Sequence, residues 1–115
     1  MTTKAEALSI AEQYLKEMLA ADDNADFELF TQRYEDKYLQ GFTPEVFNND
    51  IQQMQQRNGR NQSYEFLGEL RNERIDDLDV YRTAWKGIYE KRDALVEIGV
   101  YQKDGHWYVI RSAVF

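Results

Sequence analysis

Arg111 is the residue whose type and surroundings most strongly suggest binding chemistry. It is the lone cation in the C-terminal run Trp107-Tyr-Val-Ile-Arg-Ser-Ala-Val-Phe115. A guanidinium buried without a partner is very costly, so Arg111 needs a carboxylate, backbone carbonyls, solvent at a pocket mouth or an anionic ligand. Because buried charges are normally paired, we favour an ion pair with an acid from the helices. Anchoring of an anionic ligand is the alternative.

Residues suited to acid–base, nucleophilic or metal chemistry do not form a recognisable constellation. His106 is the only histidine and adjoins a predicted turn, where we expect it to be exposed. The acidic segment 76–79 lacks the Gly and terminal Glu of a calcium loop, so a solvated turn is the better interpretation. The chain contains no cysteine, no serine nucleophile elbow and no Gly-rich phosphate loop. We therefore predict no catalytic residue, no metal site and no cofactor.

A predicted hairpin positions Arg111. Asp104-Gly105 separates two β-rich runs, 94–102 and 107–115. Asp-Gly between apolar runs favours a two-residue type I′ turn, because both central positions need φ > 0. Continued along the strands, this register pairs Ile98 with Arg111 on an otherwise apolar face, which we expect to pack on helices. A one-residue slip would reverse the assignment of faces.

The strand before the hairpin, 80–91, carries aromatic residues on one side. If Arg92-Asp93 forms the preceding turn, Tyr89 opposes Val96 and Trp85 opposes Val100. The aromatic residues then join the helix-facing side of the sheet.

The other side of the sheet is also partly apolar. A contiguous apolar set on a sheet suggests a partner, so we predict a homodimer through this face; an unusually apolar solvent face is the alternative. The residues predicted to form the dimer contact are Ile88, Leu95, Tyr101, Tyr108 and Ile110.

Three helices are predicted before the strands. Thr3 begins a helix over 4–21 with a capping box, and the segment 22–25 breaks it. Asp26 caps a short helix that carries Phe27, Phe30 and Tyr34 at helical spacing. Thr43-Pro44 begins a third helix, which Asn58-Gly59 ends. After Gly59 the apolar period changes from 3.6 to 2, so three helices followed by about four strands predict an α+β fold.

Length and charge restrict the class of protein. A chain of 115 residues is expected to form one domain, 1–115. Its net charge of −7 argues against a nucleic-acid partner, which would need clustered Lys and Arg. No apolar run approaches the ~20 residues of a membrane span, and the N-terminal segment has no apolar signal core. We expect a soluble, cytoplasmic protein, a location that the absence of cysteine fits.

The order of elements resembles the nuclear-transport-factor-2-like superfamily. The resemblance rests on a helix, a short helix, a Thr-Pro-Glu helix ending in Asn-Gly, and strands closing on Lys103-Asp-Gly-His-Trp-Tyr-Val-Ile-Arg111. It covers nearly the whole chain, which looks most similar to small bacterial members of unknown function. It implies a cystatin-like cone: helices packed on a curved antiparallel sheet of about four strands, with a pocket at the open end. The superfamily includes isomerases, dehydratases, interaction modules and immunity proteins, so the fold does not decide the function.

An enzyme of this type would need groups that the sequence does not bring together. An isomerase-type site needs a carboxylate base, a tyrosine and a protonated acid. Tyr14 lies on the first helix, where such members carry their tyrosine, but Asp36 is better interpreted as solvated and the predicted register turns Glu97 away. A dehydratase-type His–Asp pair would have to use His106.

We therefore expect a non-catalytic module that binds a small apolar or anionic ligand, or another protein, through a cone-shaped pocket. The alternatives are an isomerase- or dehydratase-type enzyme acting on a small apolar substrate, and an acidic immunity-type protein that binds a basic partner. For Tyr14, Tyr34, Trp85 and Tyr89, a place in the aromatic core is the favoured interpretation, and a place in the pocket wall is the alternative. The residues predicted to line the pocket are Tyr14, Phe30, Tyr34, Trp85, Tyr89 and Arg111.

Overall fold

Helices precede strands in the computed structural model, which describes residues 3–115. The helices are α1 (Lys4–Asn24), α2 (Phe27–Thr31) and α3 (Pro44–Asn58), with a 3₁₀ helix at Asp36–Tyr38. The strands β1 (Asn61–Ile75), β2 (Leu78–Tyr89), β3 (Asp93–Lys103) and β4 (His106–Val114) form one antiparallel sheet in that order. The predicted α+β class is thus confirmed. The predicted domain also includes Met1 and Thr2, which lie outside the described residues.

The helix starts follow the capping signals. The side chains of Thr3, Asp26 and Thr43 each accept a hydrogen bond from a backbone N–H three residues on, at 3.1 to 3.2 Å. These bonds satisfy donors that the first helical turn leaves free.

Two helix ends differ from the prediction. The segment 22–25 does not break α1, which continues to Asn24 and ends at Ala25 in the left-handed conformation. Ala21 and Asp22 are buried, so packing holds this last turn in place. α2 ends at Thr31, and Tyr34 instead forms an isolated parallel bridge with Val109 of β4.

The β3–β4 hairpin has the predicted turn but not the predicted register throughout. Asp104 and Gly105 both have positive φ, at 52° and 79°. Val100 opposes Val109 as predicted, but beyond that pair Gly99 opposes Arg111. Ile110 is therefore the extra residue of a β-bulge, and a bulge of one residue reverses every side chain that follows it.

The predicted pairing of Ile98 with Arg111 is consequently wrong. Ile98 opposes Ser112, and Arg111 lies on the outer face of the sheet, the face directed away from α1. Its Nη1 lies 3.3 Å from Glu73 Oε2 on β1, so its partner is a strand carboxylate rather than an acid from the helices.

The aromatic side of β2 faces the helices as predicted, although the pairing is displaced. The connection between β2 and β3 occupies residues 90–92. As a result, Trp85 opposes Val96, whereas the predicted partner of Trp85 is Val100. A displacement of four residues is even, so it keeps each side chain on its face. Trp85 and Tyr89 join the buried core between α1 and the sheet.

Candidate functional site

A cavity of about 410 Å³ lies among the C-terminal end of α1, α2, the segment 34–42, α3 and the end of β4. We call it the groove, because it is open to solvent on one side. Most of its wall is apolar, contributed by Met18, Phe30, Phe42, Phe47, Ile51 and Met54.

Phenylalanine rings in mutual contact form one wall of the groove. Phe30 of α2 lies 5.0 Å from Phe47 of α3 and 5.6 Å from Phe42 of the connecting segment, measured between ring centroids. Tyr34 stacks on Phe30 at 6.0 Å. Aromatic contacts of this kind contribute about 0.5–1.5 kcal/mol each beyond area burial, so they hold the segment 34–42 against the helices.

Asp22 is the buried acid of the groove. It lies in the last turn of α1, lines the cavity and is only 6% exposed. Among the described residues, no group donates a hydrogen bond to its carboxylate or forms an ion pair with it; Gln55 donates only to its backbone carbonyl. Burial, with a smaller contribution from the charge of Asp23, raises the pKa of Asp22 to about 7. The carboxyl is therefore close to half-ionised at neutral pH.

A second polar feature joins the groove wall to β4. The Tyr34 hydroxyl and Ser112 Oγ are 2.6 Å apart and share a hydrogen bond. Burial is the main cause that raises the pKa of Tyr34, so its hydroxyl is neutral near pH 7. Ser112 reaches this position because the bulge at Ile110 turns it, rather than Arg111, toward the helices.

The structure brings two of the six predicted pocket residues, Phe30 and Tyr34, to this groove. Tyr14 is buried elsewhere, and its hydroxyl donates to the Trp107 carbonyl at 3.3 Å. Trp85 and Tyr89 are core residues, and Arg111 is half-exposed on the outer face.

The acids and the histidine considered for catalysis lie outside the groove. His106 and Asp36 are exposed, as predicted. Glu97 lies on the outer face, also as predicted, within 3.9 Å of Arg82. The turn Asp76-Asp77 has positive φ at both positions and connects β1 with β2. Within residues 3–115, no group of three acidic, histidine or cysteine side chains is close enough to hold a metal ion.

Asp22 is not singled out in the sequence, where it lies in the segment 22–25 that is predicted to break α1. A signal for its burial is present, because Asp22 continues the spacing of the buried residues Ala11, Leu15 and Met18 along one face of α1. An acidic residue at a position on the apolar stripe of a helix is therefore the sequence pattern that indicates a buried carboxyl group here.

One of the five residues predicted to form the dimer contact, Tyr101, is not accessible to a partner on the outer face. Tyr101 is fully buried: its hydroxyl donates to Glu35, which also pairs with Lys103 at 3.1 Å. Tyr38 packs edge-on against the Tyr101 ring, so the segment 35–38 covers it. Leu95 is exposed, whereas Ile88, Tyr108 and Ile110 are partly exposed. The homodimer stays a prediction, now without Tyr101 as a contact.

No helix in the described part of the chain combines the length and the apolarity needed to cross a membrane.

Comparisons with known proteins report a likeness of fold and nothing more. No protein-family model matches the chain, and no curated protein matches it. Among solved structures, the chain is similar to Bd1075 of Bdellovibrio bacteriovorus, with a TM-score of 0.50 and 12% identity. The match covers 92% of this chain but 39% of that one, so this chain spans about two-fifths of the neighbour's length. Identity this low concerns the fold alone.

Proposed function

We propose that this chain is a small-molecule-binding domain of the nuclear-transport-factor-2-like type, with the groove as its binding site at the open end of a cone. The groove itself carries the proposal. Its volume of about 410 Å³ lies within the ~300–1,000 Å³ typical of small-molecule sites. Its apolar wall with a few convergent polar groups is also typical of such sites.

The wall indicates a compact ligand with an apolar, preferably aromatic, body. Phe30, Phe42 and Phe47 offer ring faces and edges, while Tyr34 and Ser112 offer hydroxyl groups. Arg111, the residue that suggests an anionic ligand in the sequence, lies on the outer face of the sheet, away from the groove. At the groove, Arg57 is exposed and donates to the Val114 carbonyl at 3.2 Å.

Binding is favoured over catalysis because the groove holds one buried acid, Asp22, and one acid exposed at its rim, Asp50, without the tyrosine or histidine partner that the enzyme types need. Asp22 lines it, but Tyr14, the tyrosine that an isomerase-type site would use, is bonded to Trp107. The only histidine, His106, is exposed beside the β3–β4 turn. An isomerase or dehydratase would need at least two such groups within reach of one substrate.

Titration calorimetry with naphthalen-1-ylmethanol, a neutral aromatic probe, tests the proposal. We expect saturable binding to the natural chain. Phe42→Ala should weaken this binding about tenfold, because it removes about 1–2 kcal/mol of apolar contact.

Phe66→Ala is the matched control. Phe66 is an exposed aromatic residue on β1 that does not line the groove, so its removal should leave the affinity unchanged. Absence of saturable binding to the natural chain would contradict the proposal, as would equal weakening by both substitutions.

A further inference from the structure

We propose that the groove selects a ligand that carries a protonated amine beside its apolar body, with the Asp22 carboxylate as the counter-ion. This inference rests on the proposed binding function and names the ligand class. The observation behind it is an aspartate that is more than nine-tenths buried, lines a cavity and has no partner for its carboxylate among the described residues.

The charged groups around Asp22 leave its charge uncompensated. On α1, the neighbouring Asp23 is also acidic and adds to the unfavourable potential. From α3, Asp50 and Arg57 line the same groove but are exposed at its rim, and Arg57 is held by the end of β4. Arg60, at the start of the strands, donates to the Asp23 backbone carbonyl.

The remaining titratable neighbours are tyrosines, which are neutral at pH 7. Tyr34 of the connecting segment and Tyr89 of β2 both lie close enough for the charge of Asp22 to raise their pKa. Neither residue supplies a positive charge. The potential at the inner end of the groove is therefore negative once Asp22 ionises.

An ammonium group on a ligand would compensate the negative charge of Asp22, which a neutral or anionic group would not. An opposite charge within ~4–6 Å favours the ionised form of a buried carboxylate, so it offsets the cost of burying that charge. Phe30 and Phe42 line the same groove, so an ammonium group within ~6 Å of either ring would also gain cation–π attraction. A carboxylate ligand would be repelled, and a neutral ligand would leave Asp22 unpaired.

Two probes of the same shape separate the charge from the apolar body. We expect naphthalen-1-ylmethylamine to bind the natural chain at pH 8 at least tenfold more tightly than naphthalen-1-ylmethanol. Asp22→Asn should abolish this preference while it leaves the affinity for the alcohol nearly unchanged. Asp50→Asn removes a carboxylate from the exposed rim of the same groove and should keep most of the preference.

The natural chain alone provides a second readout. Because the amine requires ionised Asp22, its advantage over the alcohol should fall by roughly tenfold or more as the pH decreases from 8 to 5. The amine probe keeps its own charge over this range.

The outcomes distinguish this inference from the proposed function. Equal affinity of the two probes at pH 8, or a preference that does not change with pH, overturns the inference and leaves small-molecule binding standing. Loss of the preference in Asp50→Asn but not in Asp22→Asn also overturns it. Failure of both probes to bind overturns the proposed function as well.

Discussion

Asp22 occupies an unfavourable position for a charged carboxylate. It lies at the C-terminal end of α1, where the helix dipole disfavours negative charge, and it is buried beside another acid. The folded protein therefore holds a proton on Asp22 up to a pKa of about 7, whereas the unfolded chain releases it near the ordinary value of 3.8. Binding a cation beside this residue would offset the free-energy cost of its buried negative charge.

Asp22→Asn should change the pH dependence of stability in a defined direction. Because the folded-state pKa is raised, the folded state binds more protons than the unfolded state between about pH 4 and 7, and stability is lost as the pH rises. Asparagine stays neutral, so the variant should gain stability relative to the natural chain by on the order of 2–3 kcal/mol between pH 5 and pH 8.

Urea unfolding of both proteins at several pH values measures this difference. Asp50→Asn serves as the control, because it removes an exposed carboxylate from the rim of the same groove. A difference between Asp22→Asn and the natural chain that does not vary with pH would contradict a raised pKa at Asp22.

Arg111 and Ser112 are residues whose faces of the sheet could not be predicted from the sequence. The Asp104-Gly105 turn was predicted correctly, yet the two residues lie on the opposite faces from those predicted. A bulge at Ile110 separates them from the turn, and β4 contains no glycine that would mark it. The position of a side chain on a strand can be predicted only as far as the register continues.

At the scale of elements, β2 depends on a glycine that allows its aromatic residues to pack. A Cβ added at Gly87 would lie 2.6 Å from Tyr89 Cε1 and 3.0 Å from Val96 Cγ2. Both neighbours are buried, so neither can move without disturbing the core between α1 and the sheet.

Gly87→Ala should therefore destabilise the fold by about 1–3 kcal/mol through overpacking, measured as the free energy of unfolding in urea. Gly68→Ala on β1 is the matched control, since a Cβ there meets no atom within 4 Å. We expect it to change stability by no more than about 0.5 kcal/mol. Equal free energies of unfolding for the two variants would contradict overpacking at Gly87, because they would mean that the core accommodates the added methyl group.

Element boundaries were predictable wherever a local signal fixes them. Thr3, Asp26 and Thr43 cap helices, and their hydrogen bonds depend only on residues three positions away. The end of α1 was not predictable in this way, because burial of Ala21 and Asp22 against the rest of the molecule overrides the helix-breaking composition of 22–25.

At the scale of the whole molecule, the groove results from the arrangement of all the elements. Helix caps and the change of apolar period were sufficient to predict helices followed by an antiparallel sheet. The groove depends on the path of the segment 34–42 between α2 and α3, and on the residues that the β4 bulge turns inward. These are tertiary features, for which one sequence contains no periodic or local signal.

Binding of a small molecule in this groove can be observed residue by residue in a titration followed by NMR. Naphthalen-1-ylmethanol is added to the ¹⁵N-labelled natural chain, and the backbone amide shifts are followed residue by residue. We predict saturable shifts in the segment 34–42, along α3 and at residues 112–114, while Arg82 and Glu97 on the outer face keep their positions. Shifts that do not saturate, or that are confined to the outer face of the sheet, would contradict small-molecule binding in the groove.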